Sequence, residues 1–345
     1  MKIIKSQFGK TSNGETVNLF HMENAQGVYI EILDFGARIH KLVVPDRYGT
    51  LKDVCQNLTN MNDYEADKSY YGAICGRVAN RICNGQFSLN GTDYQLAVNN
   101  GPNHLHGGLT GYSHKLWKSE IKDNKLVLTM ESADGDENYP GNLTLHVTYS
   151  WSEDNEIGIL YEAVSDKDTI INVTNHAYFN LNGEGTSSIL NHELFIDADA
   201  ITPVNENLIP TGELLPVTET PFDFRELHTI GKFIDSDYPQ FAACGTYDHN
   251  FVINGTGLRE AAILQSKESG IRVTCFTDQP GIQIYVAVQP SDFVGKFGDH
   301  YPAQTSVCLE TQHYPDSINH KEFPSIILKA GENFRSKTLY HFSNF

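Results

Sequence analysis

Apolar and polar residues alternate with a period of two along much of the chain, and turn-forming dipeptides separate the alternating segments. This pattern is typical of half-buried antiparallel strands, because successive side chains of a strand point to opposite faces of a sheet. In LTLHVTYSW an apolar or aromatic side chain occupies every second position from Leu143 to Trp151. The segment GIQIYVAVQ repeats the pattern from Ile282 to Val288. The pattern therefore predicts a chain rich in antiparallel strands.

Turn signals between these segments indicate hairpins. The dipeptide Asn-Gly begins at positions 13, 84, 90, 100, 182 and 254. It tolerates the positive φ angles that tight two-residue hairpin turns require. One hairpin can be predicted directly, with strands over 86–89 and 92–96 joined by the Asn90-Gly91 turn.

Helical patterns are scarce. Short helices are predicted only over Met61–Lys68 and Ser291–Gly298. The sequence shows no regular alternation of strand and helix patterns, no repeat of 20 to 50 residues and no Pro/Ser-rich linker. We therefore predict an all-β fold, a large antiparallel β-sandwich with a few short helices, in which residues 1–345 form a single domain.

Charge and composition exclude several classes of partner. The chain has 43 acidic and 25 basic residues, a formal net charge of −18, and its basic residues are scattered. Such a surface does not suit nucleic acid or an anionic membrane. The N-terminus lacks the apolar segment of a signal peptide, and no 18 consecutive residues are apolar. We expect a soluble, cytoplasmic protein, whose six cysteines are free thiols.

Two segments place titratable side chains where a plain sandwich would have only core and surface. In INVTNHAYFNL, His176 and Tyr178 share the face opposite the apolar one if the segment is a strand. Such a histidine, taken alone, is more often a hydrogen-bonded structural residue. In SVCLETQHYP, Glu310 lies in a strand that is apolar enough to be buried, and a buried carboxylate must be paired or used. A surface position on an edge strand is the alternative for Glu310.

Other polar residues come together in short motifs. His104 and His106 precede Gly107-Gly108, whose lack of side chains suggests a loop that approaches another part of the chain closely. A His-x-His pair can ligate a metal, but a site needs a third ligand and no partner at suitable spacing is evident, so we expect no metal. The remaining candidates supply donors and acceptors suited to sugar hydroxyls: Arg77 and Arg81 in GRVANRI, Asp248 and Asn250 in YDHNF, and Gln279 in TDQPGIQIY.

Taken in order, the segments GRVANRI, NHLHGG, TNHAYFNL, YDHNF, TDQPGIQIY and CLETQHYPD resemble those of the galactose mutarotase (aldose 1-epimerase) family. The resemblance extends from about residue 36 to the end of the chain. It implies the galactose mutarotase-like sandwich with an open cleft. It also implies that Glu310 is the general base and His176 the general acid, and that the sugar is bound by Asn80, Arg81, His106, Tyr178, Asp248 and Gln279. His106 is preferred to His104 because it directly precedes the two glycines.

The chemistry of the family fits these residue types. Exchange of anomers removes a proton from the C1 hydroxyl while the ring oxygen O5 gains one, so it needs a base and an acid but no cofactor. We expect Glu310 to be ionised and His176 to be protonated, with Asp248 as a possible acidic neighbour. The substrate is expected to be a free hexose, galactose or glucose, and the protein a monomer or a homodimer.

Three alternatives remain open. A hexose-6-phosphate 1-epimerase would need a cationic cluster, for which the motifs offer little beyond Arg77 and Arg81. A glycosidase could use Glu310 and Asp248 as its two carboxylates, but His176 would then lack a role. A sugar-binding module could dispense with either His176 or Glu310.

Overall fold

The computed structural model describes residues 2–185 and 187–345 and consists mainly of antiparallel strands. The first five strands form one antiparallel sheet in chain order. These strands are β1 (Lys2–Lys10), β2 (Thr16–Glu23), β3 (Tyr29–Leu33), β4 (Arg38–Pro45) and β5 (Leu51–Asp53). β1 is largely exposed, whereas β3 and β4 are largely buried, so β1 forms an outer edge of the molecule.

The next part of the chain carries the single α-helix of the described residues and six short strands. The helix, α1, begins after Asn60, whose side chain accepts a hydrogen bond from the Asp63 amide at 3.0 Å, as expected of an N-cap. These elements are β6 (Cys55–Gln56), α1 (Met61–Ala66), β7 (Ile74–Cys75), β8 (Arg81–Ile82), β9 (Gln86–Leu89), β10 (Thr92–Gln95) and β11 (His104–Leu105).

The middle of the chain forms the long strands of one large sheet and several shorter ones. In chain order these are β12 (Lys118–Lys122), β13 (Lys125–Ser132), β14 (Leu143–Trp151), β15 (Glu156–Ser165), β16 (Thr169–Ile170), β17 (Thr174–Asn175), β18 (Tyr178–Phe179), β19 (Glu193–Ile196), β20 (Ala198–Ile201), β21 (Leu215–Pro216) and β22 (His228–Thr229). As predicted, β14 buries every second side chain from Leu143 to Trp151.

The last third of the chain completes both large sheets. Its strands are β23 (Asp248–Ile253), β24 (Arg259–Gln265), β25 (Ile271–Thr277), β26 (Gly281–Val286), β27 (Val307–Gln312), β28 (Ile327–Leu328) and β29 (Asn333–Asn344). Short 3-10 turns lie at Cys83–Gly85, Tyr112–His114, Asp136–Asn138, Ile189–Asn191, Ile230–Lys232, Pro239–Phe241 and Ser317–Asn319.

Two large sheets pack face to face and form the sandwich that the sequence predicted. One has nine strands in the order β12-β13-β14-β15-β29-β25-β24-β19-β22, and the other has seven in the order β21-β20-β23-β26-β27-β18-β6. At their interface the Thr311 and Thr338 hydroxyl oxygens are 2.5 Å apart, and Tyr340 donates a hydrogen bond to the Leu309 carbonyl at 2.6 Å. Burial of the apolar faces between these sheets is the main stabilising contribution to the fold.

Two local predictions have opposite outcomes. The 86–96 hairpin is confirmed, with positive φ angles at both Asn90 and Gly91. The predicted helix over Ser291–Gly298 is wrong. Backbone amides of this segment bond to later residues instead of forming a helical ladder: Ser291 N–H donates to Tyr301 O at 2.9 Å, and Gly295 N–H to Asp299 O at 2.8 Å.

The pairing of β26 with β27 creates two different faces. Ile282, Ile284 and Leu309 contribute to the main core between the sheets. Gln283 and Glu310 are directly opposite each other in the register. Because side chains alternate along a strand, this pair projects from the other face of the seven-stranded sheet, where the candidate site lies. Among the described residues, no helix is long and apolar enough to cross a membrane.

Candidate active site

A cavity of about 230 Å³ opens over the outer face of the seven-stranded sheet. Seven of the eight predicted site residues contribute to its wall, although they come from five separate parts of the chain. The lining consists of Lys68, Ser69, Tyr70, Asn80, Arg81, Asn100, Leu105, His106, His176, Tyr178, Asp248, Tyr285 and Glu310.

Glu310 is a buried carboxylate in the middle of a sheet. Its strand β27 lies between β26 and β18, and the residue is 2% exposed, so the edge-strand alternative is wrong. Its Oε2 has no hydrogen-bond partner among the described residues. Burial raises the pKa of Glu310 well above its ordinary value, and the nearby Asp248 carboxylate acts in the same direction. The prediction that Glu310 is a buried carboxylate is therefore confirmed.

His176 lies in a break between two short strands. The sequence suggested one continuous strand, but the structure has β17 before His176 and β18 after it. The backbone of His176 bonds instead to the 72–73 segment, donating to Ala73 O and accepting from Gly72 N–H, both at 2.9 Å. The ring stacks on Tyr178 at 5.0 Å between centroids, and the Tyr178 hydroxyl donates to Ser69 O at 2.7 Å. Tyr178 therefore holds the imidazole from one side.

His176 and Glu310 face each other inside the cavity, with His176 Nε2 and Glu310 Oε1 3.6 Å apart. Burial lowers the pKa of His176 to about 4. Both shifts oppose the expected charges, an ionised Glu310 and a protonated His176, because burial disfavours each charged form. Burial thus favours a protonated Glu310 and a neutral His176.

His106 presents a hydrogen-bond donor to the cavity. Its Nδ1 accepts a hydrogen bond from the Asn80 amide at 3.1 Å, and burial lowers the pKa of His106 well below its ordinary value. A neutral imidazole whose Nδ1 is an acceptor carries its hydrogen on Nε2. Asn80 and His106 both have positive φ angles, of 60° and 49°, a conformation that is uncommon outside glycine. Mutual hydrogen bonds thus fix an unusual backbone that aims the imidazole.

The preference for His106 over His104 agrees with their positions. Both ring nitrogens of His104 are engaged elsewhere, with Ala97 O at 2.7 Å and the Tyr139 hydroxyl at 2.6 Å. His104 therefore has a structural role. The following Gly107 approaches the Gly76 carbonyl so closely that an added Cβ would lie 1.8 Å from its oxygen, as expected for a loop packed against another backbone segment.

Arg81 and Asp248 form the charged part of the wall. Arg81 Nη1 lies 3.7 Å from Asp248 Oδ2, and Arg81 Nε donates to Asn100 Oδ1 at 3.0 Å. Gln283 donates from Nε2 to Asp248 Oδ1 at 2.7 Å. These contacts hold the guanidinium and the carboxylate in place and leave further donor and acceptor capacity for hydroxyl groups.

Gln279 is the predicted residue that the structure does not bring to this cavity. It follows β25, its amide donates to Thr277 Oγ1 at 3.1 Å, and it is absent from the cavity lining. Gln283, four residues later, contacts Asp248 and lies opposite Glu310. A signal for Gln283 was present in GIQIY, since it is a polar residue in a strand of buried apolar ones. Tyr70, which lies 4.6 Å from the His106 ring, is in a loop without any such pattern.

His106, His176 and Glu310 are the described residues that could hold a metal ion. Their nitrogen and oxygen atoms lie within 4.8 Å of one another, so the fold supplies the third ligand that sequence spacing did not reveal. Two imidazoles and a carboxylate are a known donor set for zinc. The hydrogen bond from Asn80 leaves the proton of His106 on Nε2, however, and a metal ligand needs a free lone pair there. The donor set therefore fits a metal poorly and a hydroxylated ligand well.

Comparisons with known proteins identify the family and agree with the fold. The family described as aldose 1-epimerase matches residues 18–341. The galactose mutarotase of Sus scrofa is 39% identical over 346 aligned positions, covering 99% of both chains. The aldose 1-epimerase of Escherichia coli is 33% identical, with 96% of both chains covered. A crystal structure of an aldose epimerase homologue from C. elegans superposes with a TM-score of 0.88 at 30% identity, covering 95% of this chain and 99% of that one. This chain therefore belongs to the aldose 1-epimerase family.

Proposed function

We propose that the protein is an aldose 1-epimerase, an isomerase that interconverts the α and β anomers of a free hexose such as galactose or glucose. The observation that carries the proposal is the pairing of His176 Nε2 with Glu310 Oε1 at 3.6 Å inside a cavity lined by hydrogen-bonding groups. Mutarotation needs one acid and one base close together, and this pair supplies both. The names of full-length relatives, galactose mutarotase and aldose 1-epimerase, support the same activity.

The reaction proceeds by opening and closing the sugar ring. Glu310 takes the proton of the C1 hydroxyl, and the O–H electron pair forms the C1=O double bond. The C1–O5 bond breaks, and O5 receives a proton from His176 Nε2. Rotation about C1–C2 presents the other face of the aldehyde. His176 then removes the O5 proton as O5 attacks C1, and Glu310 returns its proton to O1, so that both groups end as they began.

One proton on the buried pair is sufficient for this cycle. Before the ring opens, Glu310 is ionised and His176 is protonated. After the ring has opened, Glu310 carries the proton and His176 is neutral. These states have the same net charge. Burial favours the second, because it raises the pKa of Glu310 and lowers that of His176. Desolvation of the pair therefore stabilises the form that accompanies the open-chain aldehyde, the high-energy species of the reaction.

The remaining wall residues are suited to holding the sugar. His106 offers an Nε2–H donor, Arg81 offers guanidinium donors, and Asp248 offers acceptors. Alternating donors and acceptors match the hydroxyl groups of a hexose, each of which can both donate and accept. The guanidinium of Arg81 has more N–H donors than its contacts with Asp248 and Asn100 use, so it retains donors for a sugar oxygen.

The geometry weighs against two of the alternatives. Arg77, one of the two arginines that a phosphate site would use, donates to Pro140 O at 2.7 Å and to Ser132 Oγ at 2.7 Å, away from the cavity. Asp248, the second carboxylate that a glycosidase would need, is engaged by Gln283 and Arg81, while His176 occupies the position beside Glu310.

Polarimetry of freshly dissolved α-D-galactose tests the proposal. The protein should speed the approach to the final rotation without changing its value, since a catalyst leaves the equilibrium unchanged. The same preparation of a His176→Gln, Glu310→Gln double variant serves as the control for contaminating enzymes. Rates equal to those of buffer alone, with both galactose and glucose, would show the proposal to be wrong.

A further inference from the structure

One strand contacts both nitrogens of a single imidazole. Cys308 and Glu310 are two residues apart on β27, so their side chains project from the same face. Glu310 Oε1 lies 3.6 Å from His176 Nε2, and Cys308 Sγ lies 3.6 Å from His176 Nδ1. The distance to sulfur is within the range of sulfur hydrogen bonds, and both side chains are almost fully buried. The mechanism above assigns a role to Glu310 but none to Cys308.

From this geometry we infer that Cys308 is a positioning residue: its sulfur accepts the Nδ1–H of His176 and so keeps the reactive Nε2 directed at Glu310 and the substrate. The inference rests on the proposed role of His176 as the acid of a mutarotase. It adds a residue that does not touch the sugar and acts only through the imidazole.

The direction of the hydrogen bond follows from the proton cycle. His176 must alternate between imidazolium and a neutral form whose free lone pair is on Nε2. In both forms Nδ1 carries a hydrogen, and a buried N–H needs an acceptor throughout the cycle. The resting pair needs the same tautomer, since a protonated Glu310 can donate only to a nitrogen that bears a lone pair. Cys308 therefore acts as an acceptor, although a thiol could also donate.

The thiol also leaves the charge balance of the pair undisturbed. Burial raises the pKa of Cys308 well above its ordinary value, and the Glu310 carboxylate acts in the same direction. The sulfur is thus a neutral partner, whereas a carboxylate at this position would hold His176 as a permanent imidazolium. Tyr178 is paired with Cys308 across β18 and β27 and stacks on the His176 ring, so sulfur and phenol ring together limit its rotation.

The wild-type protein gives the first test. Nitrogen-15 NMR of the His176 side chain, at neutral pH and without substrate, should show a protonated Nδ1 and an unprotonated Nε2. A signal from the opposite tautomer overturns the inference. This measurement does not depend on turnover. Absence of mutarotation would overturn the proposed function, whereas turnover with the opposite tautomer would overturn the role of Cys308 alone.

Substitutions give the second test, with a matched control. Cys308→Ala should lower kcat by roughly tenfold, leave KM within about twofold and populate the other tautomer of His176, because the lost sulfur bond is weak but orients the ring. Cys308→Ser retains an acceptor and should recover most of kcat. Cys275→Ala removes an equally buried thiol from β25, in the other large sheet, and should leave kcat unchanged. Equal losses in all three variants, or unchanged kcat and tautomer in Cys308→Ala, would overturn the inference.

Discussion

Nε2 of His176 lies 3.6 Å from Oε1 of Glu310, and the two side chains are 5% and 2% exposed. The residues come from distant parts of the sequence, one from a break between two short strands and the other from the middle of a seven-stranded sheet. Burial raises the pKa of Glu310 and lowers that of His176 to about 4, so it favours the neutral form of each group. Several measurable properties of the protein follow from this relationship.

Removing either member of the pair should abolish most of the turnover. Glu310→Gln and His176→Gln should each lower kcat by about 10²- to 10⁴-fold, the usual contribution of a general acid or base. KM should change little, since neither group is the main sugar ligand. The double variant should be scarcely slower than the worse single one, because the two groups act as a unit. Polarimetry or NMR of anomer exchange measures these rates.

Substitution of the exposed His146 on β14 to Gln is the control and should leave kcat unchanged. Near-normal turnover in either single variant would remove that residue from the mechanism.

The pH profile should be broad on its acidic side. The active form carries one proton on the pair, and adding a second requires protonation of His176, whose pKa burial lowers to about 4. We therefore expect kcat/KM to hold as the pH falls through 6.5, the ordinary value for histidine, and to decline only near pH 4. On the alkaline side, loss of the remaining proton follows the raised pKa of Glu310. These values belong to the pair and not to either residue alone.

Stopped-flow polarimetry across the acid and neutral range, corrected for uncatalysed mutarotation, gives this profile. An acid limb near pH 6.5 would show that His176 retains an ordinary pKa and that the pair is not desolvated as the structure indicates.

Local patterns predicted the sheet elements well. The alternation in β14 and the Asn90-Gly91 hairpin are determined by residues that are adjacent in the sequence, so local patterns are sufficient to predict them. The Ser291–Gly298 segment shows the limit of this reasoning. In this segment the buried Lys296 donates hydrogen bonds from Nζ to Asp53 Oδ2 at 2.7 Å and to the His40 and Cys55 carbonyls. These partners are distant in sequence, so no local pattern reveals them.

The sequence predicted most of the residues that line the candidate site, but not the protonation states of Glu310 and His176. Glu310 was identifiable because a carboxylate among buried apolar residues is unusual, and the family resemblance supplied its partner His176. The protonation of the pair depends on the surrounding loops, which bury both groups. Loops carry no periodic signal, and for the same reason Tyr70 was missed.

The two glutamines near β26 should differ in their kinetic effect. Gln283→Ala removes the 2.7 Å hydrogen bond to Asp248 and should lower kcat/KM by roughly tenfold, about the effect of one lost hydrogen bond to a charged group. Gln279 bonds through its backbone amide to Thr277, which is outside the cavity lining, so Gln279→Ala should leave kcat/KM within about twofold. Steady-state kinetics with galactose compares the two variants directly. The reverse order would restore Gln279 as the sugar-binding residue.

Metal removal should have no effect on turnover. Dialysis against EDTA should leave kcat unchanged, because the hydrogen bond from Asn80 commits the Nε2 of His106 to donating and proton transfers alone complete the reaction. Loss of activity on dialysis, restored by a divalent cation, would contradict this and would point to His106, His176 and Glu310 as ligands.

The loop that carries His106 should be intolerant of a side chain at Gly107. Its φ of +87° is unfavourable for alanine, and the added Cβ would lie 1.8 Å from the Gly76 oxygen, a backbone atom that cannot move independently. Gly107→Ala should therefore lower the free energy of unfolding by about 3 kcal/mol or more, in the range of severe steric substitutions. Urea unfolding, followed by the midpoint and slope of the transition, measures this loss.

A substitution at Gly135 separates the two causes of the expected loss of stability, the positive φ and the contact of the added Cβ with Gly76. Its φ of +85° is almost the same, but an added Cβ would meet nothing within 4 Å. Gly135→Ala should cost only the backbone strain, about 1 kcal/mol. If both variants lose the same stability, the Gly76 contact contributes nothing and the loop has room to relax. A larger loss for Gly107, accompanied by a fall in kcat/KM for the folded protein, would show that the close approach of this loop to Gly76 also sets the position of His106.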